Sequence, residues 1–110
     1  MEEALDEETF MAEVHGTSPA VVQVQGELDL AGVPQLLSAL AGLDGDVELD
    51  CSGLEYIDAS GVGALVRVHE ACAARGAQFV VVDPSPVVVR LLRLVELDTI
   101  LHLRRNGVAS

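Results

Sequence analysis

The chain has 110 residues, half of them hydrophobic and 22% charged. That suits one domain with a small core and excludes general disorder. Eighteen acids against six bases give a formal net charge of −12, which argues against nucleic acid or an anionic membrane as the main partner. All six bases are arginine, so Schiff-base and P-loop lysine mechanisms are unavailable.

The charge is unevenly placed. Residues 1–59 carry fourteen acids and no base, whereas residues 60–110 carry four acids and all six arginines. Two readings follow: a solubilising surface, or an acidic face that docks on a basic partner. No basic segment followed by an apolar run opens the chain, and no apolar run reaches the length of a membrane span. Cytoplasmic localisation without membrane insertion is the expectation.

In chain order, residues 1–9 read as an acidic flexible tail and residues 10–105 as the folded domain. Residues 10–15 and 20–25 read as a hairpin, joined by the turn signals of residues 15–19. Its second strand alternates Val22 and Val24 with Gln23 and Gln25. Val33, Leu36, Leu37 and Leu40 then fall on one face of a first helix, stopped by Gly42. Residues 47–51 read as a short strand and residues 53–58 as a loop.

A second helix is expected from Ser60, with Val62, Leu65, Val66, His69 and Cys72 or Ala73 inward and Arg75-Gly76 as its stop. Residues 77–83 form an apolar strand of the kind buried on both faces. Ser85 as N-cap and Pro86 at the first helical position open a third helix, whose stripe is Val88, Leu91, Leu92 and Val95. Residues 100–103 read as a last strand and residues 106–110 as a tail. Strand–helix alternation after a hairpin implies an α/β fold: a small mixed, largely parallel sheet of four or five strands, with about four helices packed on it.

Most catalytic constellations are missing. Cys51 and Cys72 sit in apolar stretches without a metal-ligand companion and read as buried hydrophobes. His15, His69 and His102 are scattered over different elements, and His69 reads as a packed boundary residue. No GxGxxG, P-loop or GxSxG pattern occurs. No metal, no cofactor and no catalytic residue is expected.

The informative stretch runs from Tyr56 to Leu65. Ser60 stands at a helix start, where its plainest role is an N-cap. Gly61 and Gly63 in that first turn are odd under that reading, because each lowers helix propensity by about 1 kcal/mol relative to alanine. Close approach of another backbone or a bulky group would account for them. A helix start also presents free N–H groups and partial positive charge, which suit a phosphate on Ser60.

The runs Gly26-Glu27-Leu28-Asp29-Leu30, Val47-Glu48-Leu49-Asp50 and Tyr56-Ile57-Asp58-Ala59-Ser60-Gly61-Val62-Gly63 together resemble the STAS domain family. The likeness is strongest to bacterial anti-sigma factor antagonists. It implies that Ser60 accepts phosphate from an anti-sigma factor serine kinase, with Asp29, Asp58, Ala59, Gly61, Val62 and Gly63 around it. It also implies a phosphatase that resets the cycle. In the family motif a serine usually stands where this chain has Ala59; the phosphoacceptor position is retained.

The implied mechanism is partner switching. The unphosphorylated form binds the anti-sigma factor and frees a sigma factor; phosphorylated protein lets go. Phosphoserine carries about −1.5 to −2 charges. At about 7 Å from one carboxylate and an effective dielectric near 20, the repulsion is roughly 5 kcal/mol before screening. Even about 1.4 kcal/mol of it is tenfold in affinity.

The main alternative within the same resemblance is an accessory STAS subunit that binds the ATPase of an ABC-type lipid transporter. A stressosome scaffold usually carries a further N-terminal domain. A two-component receiver, with Asp50 as phosphoacceptor, lacks its required lysine. Ser85, flanked by prolines, reads as a helix cap and not a modification site.

Overall fold

A computed structural model describes residues 10–17 and 19–106. The tail expected over residues 1–9, Ser18 of the hairpin turn and residues 107–110 lie outside the described residues. The elements are β1 (Phe10–His15), β2 (Ala20–Leu28), α1 (Val33–Leu40), β3 (Val47–Ile57), α2 (Ala59–Ala74), β4 (Phe79–Val82), α3 (Pro86–Leu94) and β5 (His102–Arg104). Leu97–Thr99 form a single 3-10 turn before β5. The described residues thus hold three α-helices and one short turn, where about four helices are expected from the sequence.

The five strands lie side by side in sequence order. β1 is antiparallel to β2, with Val14 opposite Val22, and the other three pairings are parallel. Each helix connects one strand to the next, so every crossover steps the same way across the sheet. Right-handed connections then place all three helices on one face. The burial pattern agrees: Val22, Leu49 and Val81 join Leu36, Leu65, Val88 and Leu92 in one core.

Among the described residues no helix covers the other face. Parallel strands usually need cover on both sides, and here polar side chains stand in for it. Glu13, Gln23 and Gln25 are exposed on this face of β1 and β2. On β4, Val80 and Val82 point the same way yet are 8% and 3% exposed. Arg104 on β5 reaches across β4 to Glu48 on β3, with bonds of 2.8 and 3.1 Å. Its register partner is Val82 and that of Glu48 is Val80, so the ion pair and its methylene stem roof both valines. Arg104 therefore belongs to the sheet.

Several expected boundaries shift. β3 continues through Gly53 to Ile57, because its second half pairs with Gln25–Leu28 of β2 across a register irregularity. Ladder pairing overrides the loop reading of residues 53–58. In α2 the buried residues are Gly61, Ala64, Leu65, Val68 and Cys72, so Val68 replaces Val66 and His69 on the inner stripe, and Cys72 closes it with Ala73 exposed. Val95, expected inward, is 48% exposed because α3 ends at Leu94. The last strand begins at His102, after Leu101 has turned into the core.

Other expectations hold. In α1 Leu36 is buried, with Val33, Leu37 and Leu40 packed against the core. Gly42 and Gly76 adopt positive φ just past α1 and α2, the conformation a helix stop favours in glycine.

Candidate functional site

β2 and β3 end level with each other, Leu28 opposite Ile57. Each is followed at once by an aspartate. In open parallel sheets the carboxyl ends of the strands are where ligands and partners are met, and both aspartates stand there. Asp29 is half-buried, and its Oδ1 accepts from the Gly32 N–H at 3.1 Å. Its carbonyl accepts from Gly32 and Val33 at 3.0 and 3.1 Å. Asp29 thereby shapes the turn into α1.

Asp58 is the N-cap of α2. It is extended, and its Oδ1 accepts from the Gly61 N–H at 3.0 Å. Its own N–H donates to the Leu28 carbonyl at 3.2 Å, which ties the helix start to the end of β2. The sequence reading offered Ser60 for the capping role; the structure gives it to Asp58. A helix needs one such cap, so the Ser60 hydroxyl is spared that task. Ser60 is half-buried at the second helical position, after the exposed Ala59.

Gly61 has a steric cause. A Cβ built there would lie 2.4 Å from the Leu28 carbonyl oxygen and 2.6 Å from Ile57 Cγ1. Only glycine lets α2 sit this close to β2, and that approach holds Ser60 at the strand ends. Gly63 differs: it is exposed, and a Cβ there would meet nothing within 4 Å. The close approach expected for both glycines exists at Gly61 alone. Val62 is half-buried and packs on the core.

Two exposed apolar side chains neighbour these aspartates in the chain. Leu30, next to Asp29, is 73% exposed, and Tyr56, two residues before Asp58, is 48% exposed. Their signal in the sequence is an apolar residue outside any helical or strand stripe, and the strand reading of residues 53–57 is needed to see it for Tyr56.

The cysteines are remote from this chemistry. Both are buried. Burial, helped by the Asp50 charge, pushes the Cys51 thiol up to about 12, and burial also raises Cys72. Protonated thiols at neutral pH are poor nucleophiles.

A family profile described as "Mlab, STAS domain" matches residues 11–104. The chain belongs to the STAS domain family. Among solved structures, this STAS domain is similar to an anti-sigma factor antagonist from Mycobacterium paratuberculosis. The two share 25% identity over 86% of this chain and 85% of the other, with a TM-score of 0.76. A putative anti-sigma factor antagonist from Thermotoga maritima gives 23% identity, the same coverages and a TM-score of 0.70. The Bacillus cell fate determinant SpoIIAA in its phosphorylated form shares the fold at 21% identity, with 86% of this chain and 89% of that one covered and a TM-score of 0.66. No helix among the described residues is long and apolar enough to cross a membrane.

Proposed function

We propose that this STAS domain is an anti-sigma factor antagonist controlled by phosphorylation of Ser60. The observation that carries the reading is the division of labour at the start of α2. Asp58 makes the cap and Gly61 the close contact, which leaves a half-buried serine at an electropositive helix end. The unphosphorylated domain binds an anti-sigma factor serine kinase over Ser60, Leu30 and Tyr56, and the sigma factor is freed. The kinase transfers phosphate from ATP to the Ser60 hydroxyl, and a phosphatase later removes it.

The chemistry is local. Phosphate brings about −1.5 to −2 charges to a surface that already holds Asp29 and Asp58. The apolar contacts of Leu30 and Tyr56 then have to form around a strongly hydrated dianion. Refolding of the domain is not required. In this reading the chain is a regulatory binding domain and a kinase substrate, acts in the cytoplasm over residues 10–105, and is not itself an enzyme.

Ala59 favours a second reading. It stands exposed at the first helical position, with a methyl group where the family motif usually has a hydroxyl. An accessory subunit that binds the ATPase of an ABC-type lipid transporter needs no phosphoacceptor and would use the same surface. Incubation with the cognate kinase and ATP, followed by mass spectrometry, tests the first reading. Phosphate on Ser60 supports it. Phosphate only elsewhere, together with capture of a transporter ATPase and no kinase, replaces it with the second.

A further inference from the structure

Far from Ser60, the second halves of α1 and α2 enclose a groove of about 350 Å³. Leu37, Leu40 and Val68 supply its apolar wall, and Arg67, Ala71 and Arg75 line it from α2. A spacing of four residues sets those three on one helix face. The small Ala71 between two long side chains leaves the gap open.

The electrostatics of the groove run against those of the whole chain. Two of the six arginines of a −12 protein flank it. Arg75 donates to the Gly45 carbonyl at 2.9 Å and to the Ala71 carbonyl at 3.5 Å, both neutral acceptors. Among the described residues neither arginine has an ion-pair partner. Asp46, an acid near this end of α2, is engaged by the Gln78 N–H at 2.8 Å.

We propose that this groove binds a free medium-chain fatty carboxylate. The alkyl chain would lie along Leu37, Leu40 and Val68. The head would meet the guanidinium of Arg67, with Arg75 adding its field. Size and charge choose this occupant. The volume lies at the small end of the range for small-molecule sites. Guanidinium groups match a planar carboxylate in bidentate fashion. The proposal is independent of the phosphorylation reading, since it concerns the opposite end of α2.

Titration of the full chain with monomeric decanoate, followed by methyl chemical shifts, tests it. Saturable shifts should centre on Leu37, Leu40 and Val68. Decanol should bind at least about tenfold more weakly, and Arg67→Gln should weaken decanoate by a similar factor. Ala71→Trp, at an exposed position, should fill the groove and abolish the shifts. Arg67→Gln carries the test if the tryptophan variant does not fold. Absence of saturation, equal binding of decanol, or unchanged binding in Arg67→Gln overturns the proposal. So does sedimentation showing that a second copy of the chain closes the groove.

Discussion

Helices α2 and α3 both start on a short polar side chain after a sheet strand, and each has a serine in its opening turn. In α3 the serine is the cap: Ser85 Oγ accepts from the Val88 N–H at 3.3 Å, with Pro86 next. In α2 the cap is Asp58, and Ser60 comes two residues later inside the helix. One hydroxyl is committed to holding the fold and the other is not. A serine becomes available for regulation when a neighbour has already met the needs of the helix end.

The comparison breaks most severely at Gly61. Gly61→Ala gains about 1 kcal/mol of helix propensity but drives a Cβ against the Leu28 carbonyl. Overpacking against backbone outweighs that gain, for a net loss of about 2 kcal/mol. Urea unfolding should show a lower midpoint. An unchanged midpoint would mean that α2 can move away from β2, and Ser60 would lose its fixed position.

Next in size is the charge itself. Ser60→Asp should bind the anti-sigma factor about tenfold or more weakly than the unmodified chain, while Ser60→Ala keeps its affinity. Calorimetry with the purified kinase measures both. Equal affinities for the two variants remove the switch and leave Ser60 as an ordinary helix residue.

The cap comparison is sharpened by three alanine variants read on one scale. Asp58→Ala should cost about 1 kcal/mol and Ser85→Ala about 0.5 kcal/mol, its bond being the longer. Ser60→Ala should leave stability unchanged in the same melts. If Ser60→Ala costs as much as Ser85→Ala, its hydroxyl serves the fold after all.

Much of this was legible from residue order. The stripe of α1, the Ser85-Pro86 start of α3 and the apolar run of β4 each rest on local chemistry; the first two appear where expected, and β4 is shorter, Phe79–Val82 within the expected residues 77–83. The second half of β3 does not announce itself: residues 53–58 read as a loop, and only pairing with Gln25–Leu28 makes residues 53–57 a strand. The same non-local contact decided the cap. Asp58 donates its N–H to Leu28, a contact no local pattern contains, so Ser60 looked like the start of the helix. The roof of Arg104 and Glu48 over Val80 and Val82 was equally hidden, because it joins residues far apart in sequence. The glycine anomaly is visible in the sequence, but the close approach it implies for two residues exists at one.

That last distinction supplies the smallest test. Gly63 sits exposed within α2 with open space where a Cβ would go, so the ordinary helix penalty of glycine applies without a compensating contact. Gly63→Ala should therefore raise stability by about 0.5 kcal/mol, opposite in sign to Gly61→Ala. A gain in stability with unchanged kinase affinity makes Gly63 a neutral position. A gain accompanied by weaker binding places the missing methyl under the partner itself, two residues from Gly61 and on the exposed side of the same turn, and extends the docking surface from Ser60 along α2.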